Sequence, residues 1–229
     1  MPEPDNKELY SIVVLGDMNP RIHSPSWYQR IGLLDEPEAQ TALKSKGLVC
    51  VAPFAQFDVE GFVITCTEDR WEVKTQRKDL RERILRIAGT VFDRLGETPV
   101  SEFGFNFNYR RATRLPDIGE HLGKAVAALA LGLEAEGRTS AGVKFRSDFP
   151  NRHVSVEIQP TRSAPQVVYI GNNVQYNISE IVKEPSHFDL APLLDERFHS
   201  DHQEAETRVS RIVDMLNQAA EVNHAATIG

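Results

Sequence analysis

Phe103-Gly104-Phe105-Asn106-Phe107-Asn108-Tyr109 alternates an aromatic ring with glycine or asparagine at every step. Successive side chains of an extended chain point to opposite faces, so the four rings share one face and the small polar groups the other. One apolar and one polar face is the pattern of a strand in an antiparallel sheet with a core on one side only. The rings read as core. Asn106 and Asn108 stand on the opposite face, where with Arg110 they can line a polar groove.

Other elements follow on either side. Ser11-Ile12-Val13-Val14-Leu15-Gly16 is a short apolar run closed by a turn, and it predicts a buried strand. Pro25 and Ser26 open a helical stretch through Trp27, Ile31 and Leu34; Pro37 breaks it before a second short helix to Lys46. From Gly47 strand signals return. Phe62, Ile64 and Cys66 alternate, Glu68-Asp69-Arg70 turns, and Trp71, Val73 and Thr75 alternate again, as in a β-hairpin. Leu80, Ile84, Ile87, Val91 and Leu95 mark one face of a helix. Past the aromatic strand come a helix near 116–135, strands near 140–147, 152–160 and 166–173, and a C-terminal helix near 196–222. Trp27, Trp71, Phe103, Phe105, Phe107 and Leu129 are the expected core.

The expected fold is α+β: a twisted, mostly antiparallel sheet backed by helices on one face. The order strand, helix, three-strand meander, helix occurs twice, over 11–96 and 102–222. Two readings stay open: a pseudo-duplicated β-α-β-β-β-α unit within one compact domain, 1–229, or a single irregular sheet. No residue-level repeat accompanies the order.

Composition limits the function. The chain has 229 residues, enough for a full core without disulfides or metal. A net charge of −7 argues against broad nonspecific binding to nucleic acid or anionic membrane. Cys50 and Cys66 lack paired metal-ligand spacing and read as buried reduced thiols. The polar opening and the shortness of the longest apolar run, Ala125 to Leu133, predict no membrane partner and a cytoplasmic protein. No cofactor or small molecule is indicated.

Three groups of residues carry candidate chemistry. His199, His202 and Glu206 sit at helical spacing and can offer imidazole and carboxylate to a divalent metal. HxxH lacks the general-base glutamate of HExxH. Phe198, His202, Ala205, Val209, Ile212, Leu216 and Ala219 form a heptad-like seam that absorbs His202. That seam has two uses, packing on the chain's own sheet or self-association through Val209, Ile212 and Leu216. The third group is basic: Arg77, Arg81, Arg110 and Arg114 belong to an arginine-rich stretch able to receive an acidic partner, an RNA or a nucleotide. Its plain reading is a solvated helix face with ion pairs. The aromatic strand lacks the basic residue and spacing of the RNA-recognition strand motif. Gly16-Asp17-Met18-Asn19-Pro20 lacks the glycine and lysine pattern of a phosphate loop.

The opening Ile12-Val13-Val14-Leu15-Gly16, then Asn19-Pro20, then Pro25-Ser26-Trp27, resembles the start of an uncharacterised family of bacterial proteins of similar length. That resemblance, shared by the Phe103–Tyr109 strand, implies a bacterial, non-secreted protein and supplies no activity or catalytic residue. The leading expectation is a non-enzymatic binding or assembly protein that self-associates or docks a charged partner. Its alternatives are a metal-dependent enzyme at His199, His202 and Glu206, and an RNA or nucleotide binder at the arginines.

Overall fold

The computed structural model describes residues 7–130, 141–162, 164–183 and 188–228, with the side chains of 127–130 and 222–228 left aside. Its centre is the pair β1 (Glu8–Gly16) and β6 (Val100–Ala112), antiparallel, with Ile12 opposite Phe105 and Tyr10 opposite Phe107. Beyond β1 lie β5 (Arg70–Thr75), β4 (Phe62–Thr67), β3 (Phe54–Val59) and the three-residue β2 (Val49–Val51). Beyond β6 lie β9 (Ala164–Asn177), β8 (Arg152–Thr161) and β7 (Val143–Phe149). The result is one nine-stranded open sheet in the order β2-β3-β4-β5-β1-β6-β9-β8-β7, antiparallel throughout.

Read outward from the central pair, each side gives a leading strand and then a meander returned in reverse order. The first side has one strand more than expected, the short β2. The twofold order of elements is therefore present in the topology.

Helices occupy one face. α1 (Pro25–Arg30) starts at Ser24, whose hydroxyl accepts from the Trp27 N–H. α2 (Glu36–Leu43) starts at Asp35 with a capping box closed by Glu38. Pro37 falls in its first turn, where a missing N–H costs nothing. α3 (Arg81–Arg94) packs on β5 and β1, α4 (Ile118–Ala130) on β8 and β9, and α6 (Leu190–Ile228) on α3, β6 and β9. One turn of helix, α5 (Ile178–Ile181), caps the end of β9. No helix among the described residues is long and apolar enough to cross a membrane.

The core lies between the sheet and this helical layer. Phe103, Phe105, Phe107 and Tyr109 are buried as their alternation predicts, beside Tyr10, Ile12, Val14, Trp71 and Val73. Each ring contributes about 2 kcal/mol of burial. Phe198 of α6 meets Phe105 edge-on at 5.3 Å between centroids. Two expectations need correction. Trp27 is only partly buried, because the next residue, Tyr28, takes the core position against Phe57. Cys50 is exposed while Cys66 is buried, because Cys50 sits on the outermost strand and Cys66 under the helices. Leu129 lies outside the residues whose side chains are described.

Candidate functional site

The heptad-like seam of α6 faces the chain's own core. Phe198, His202, Ala205, Val209 and Leu216 are buried, and Ile212 packs against the same cluster. Val209, Ile212 and Leu216 are thus spent on this molecule's own core, which corrects the expectation that they present themselves to a second copy. An apolar stripe beside an uncovered sheet face is drawn first to the surface its own chain supplies.

His202 shows what that packing does to a polar group. Its ring lies 5.6 Å from Tyr10 and 5.3 Å from Phe107, centroid to centroid. Arg81 Nη1 stands 3.2 Å from Nδ1 and 3.1 Å from Nε2. A guanidinium only donates, so the nitrogen it bonds must accept, which makes the imidazole neutral. Burial first, and then the Arg81 charge, hold the His202 pKa below the ordinary histidine value; Glu206, 3.6 Å from Nε2, pulls the other way. Glu206 also faces Lys78 at 3.9 Å.

The metal reading does not find its geometry here. His199 is exposed, with Nε2 3.7 Å from Glu82 and 3.9 Å from Asp195. His202 points inward, and the Arg81 cation stands where a metal would bond it. Among the described residues no three His, Cys, Asp or Glu side chains form a group that could hold a metal ion.

Around His202 runs a network that spacing alone does not reveal. Arg111 bonds the Glu8 carboxylate and lies over the Tyr109 ring at 4.9 Å, while Tyr10 Oη donates to Glu8. Burial works to raise the Glu8 carboxyl, but the bonds from Tyr10 and Arg111 and the Arg111 charge prevail and hold it below the usual range. Burial pushes the Tyr109 hydroxyl up, helped by Glu206 and Glu8, and its oxygen is buried without a hydrogen-bond partner. One helical face along, Asp201 accepts from Arg152 Nη1 at 2.6 Å and from Tyr176 Oη at 2.8 Å. Arg152 Nη2 also reaches both Glu204 oxygens, at 2.9 and 3.0 Å. Burial raises the Asp201 carboxyl, and the Tyr176 and Arg152 contacts offset only part of that. Arg208 donates to the buried Asn172 at 2.8 Å. These groups answer one another's charges and fasten α6 to the sheet. The buried Cys66 thiol, pushed up to about 12 by burial, stays protonated at neutral pH.

The predicted arginines do not form one surface. Arg77 pairs with Asp79 at 2.5 Å, and Arg81 turns inward to His202. Arg114 bonds Glu221, and its N–H bonds Asn217, so it ties the β6 exit to α6. Arg83 spans to Glu38 at 2.7 Å, joining α3 to α2. Arg110 alternates with Tyr109 and so stands on the helix-free face. These cations are distributed between two faces and mostly matched by carboxylates.

The helix-free face is where the polar alternation of β6 leads. Asn106 donates to Ser11 Oγ at 2.8 Å, and Asn173 donates to Asn106 Oδ1 at 2.7 Å. Register makes this a ladder across β1, β6 and β9. At the two ends of the sheet, apolar side chains stand exposed: Val49 and Val51 on β2, Phe145 and Phe149 on β7.

No protein-family model matches the chain, and no curated protein matches it. The functional reading therefore rests on this geometry.

Proposed function

We propose that the protein is a non-enzymatic binding or assembly protein that docks another polypeptide through its sheet, with a second copy as the simplest partner. The observation that carries this reading is the uneven cover of the sheet. Among the described residues helices pack on one face only, the other face carries a polar amide ladder, and both outer strands expose apolar side chains and have no strand beside their outer edge. Unpaired strand edges are templates for pairing with another chain, and main-chain bonds there supply affinity. The ionisable groups inside the molecule support the same reading, because they are matched among themselves rather than gathered at a cleft.

Light scattering of the full chain, from low micromolar to millimolar concentration, tests the reading. The expected result is a mass that rises from one chain to a defined multiple. A single-chain mass across the whole range overturns self-assembly.

A further inference from the structure

β7 closes one end of the sheet and pairs with β8 alone, so its other edge presents backbone N–H and C=O groups with no strand beside them among the described residues. Six of its seven residues are exposed, which leaves that edge accessible along its length. Phe145 and Phe149, 56% and 45% exposed, lie with Ser147 on the helix-side face; Lys144, Arg146 and Asp148 lie on the other. β2, at the opposite end, has only three residues and offers little to pair with.

Charge on an edge strand normally discourages pairing. The arrangement on β7 does the reverse. Arg146 and Asp148 flank Ser147 on one face with opposite charge, and Phe145 and Phe149 flank it on the other. An antiparallel copy inverted about Ser147 sets Arg146 opposite Asp148 of the second copy, and Phe145 opposite its Phe149, each twice. Opposite charges and aromatic pairs directly across strands stabilise, and like charges destabilise. Inversion about Arg146 pairs Lys144 with Asp148 but stacks two arginines and sets Phe145 against Ser147, and inversion about Phe145 sets Lys144 against Arg146. Of these registers only inversion about Ser147 matches both the charges and the rings. Arg146 already bonds Asp148 within its own strand at 2.9 Å, and His153 reaches the same carboxylate at 2.6 Å. Arg146 and Asp148 are 63% and 59% exposed, so exchanging that bond for the cross-strand one strips little water.

We propose that β7 is a self-docking edge, where two copies of this chain pair antiparallel about Ser147 and extend one sheet into the next. This rests on the assembly reading above and names its site. The twofold axis stands perpendicular to the sheet, so both helical layers stay on one side.

The test uses the full chain and two variants, Arg146→Asp and Asp148→Arg, followed by sedimentation with circular dichroism as the check on folding. Each variant alone makes both cross-strand ion pairs repulsive, and its dimer dissociation constant is expected to rise about tenfold or more. An equimolar mixture of the two is expected to recover dimer at about wild-type affinity. In that pair one strand carries two negative groups and the other two positive. Recovery also demonstrates that both variants are folded. Dimers of wild-type strength in both single variants overturn the β7 site and leave the assembly reading standing. A wild-type chain that never dimerises overturns both.

Discussion

His23 Nδ1 lies 3.0 Å from Tyr28 Oη, and Tyr28 Oη accepts from Trp71 Nε1 at 2.9 Å. The indole can only donate, which leaves the Tyr28 proton available to His23 Nδ1 in the tautomer where that nitrogen is bare. Burial alone lowers the His23 pKa to about 4. The sign follows by linkage: between pH 4 and the ordinary value near 6.5 the unfolded chain binds a proton that the folded chain refuses. Stability from this residue is complete above that window and is lost as pH falls through it, by about 3 kcal/mol over the whole window at about 1.4 kcal/mol per pH unit. Denaturant unfolding at pH 7 and at pH 4.5 is expected to show most of that loss in the wild-type chain and a smaller one in His23→Asn. Equal losses in both would assign the pH dependence elsewhere. Tyr28 is a near neighbour of His23 in the sequence, but nothing there announces Trp71, 43 positions beyond Tyr28.

At the level of elements, β6 was readable from its alternation, and the structure extends it at both ends, from Phe103–Tyr109 to Val100–Ala112. β1 and β9 flank it and supply backbone partners there, and a side-chain pattern cannot register partners that come from elsewhere. Gly104 has a distinct job in this strand. A Cβ there would sit 2.5 Å from the Val174 carbonyl oxygen of β9, and backbone within a sheet cannot step aside. Gly104→Ala is therefore expected to cost about 2 kcal/mol, the scale of overpacking in a filled interior, read as a lower Tm with an otherwise native spectrum. An unchanged Tm would mean the β6–β9 spacing is looser than described. The C-terminal helix was visible in outline but begins at Leu190, not near 196. Leu190, Leu194 and Phe198 continue its buried stripe by fours, and Pro192 sits in the first turn, where it is tolerated.

For the molecule as a whole, α6 works as a clamp over both sides of the central strand pair. Phe198 and His202 rest on Phe107 of β6, His202 rests on Tyr10 of β1, and Asp201 binds Arg152 of β8 and Tyr176 of β9. A chain ending before Phe198 is expected to lose cooperative unfolding and near-ultraviolet circular dichroism, rather than remain a folded monomer. Removing that helix bares several core rings and leaves Arg152 without its two carboxylates. A cooperative, native-like truncated chain would show that the sheet and the other helices stand without the clamp. The sequence by itself determined the α+β class, most elements and the inward faces of β4, β5 and β6, because alternation and helical period act between residues two to four apart. Only the tertiary structure decided the strand order, the turning of the α6 seam onto its own sheet, and the pairing of Arg81 with His202, 121 positions away. Those outcomes depend on which surfaces meet after the chain folds back. A charge at one position carries no local mark of the partner it will find across the sheet.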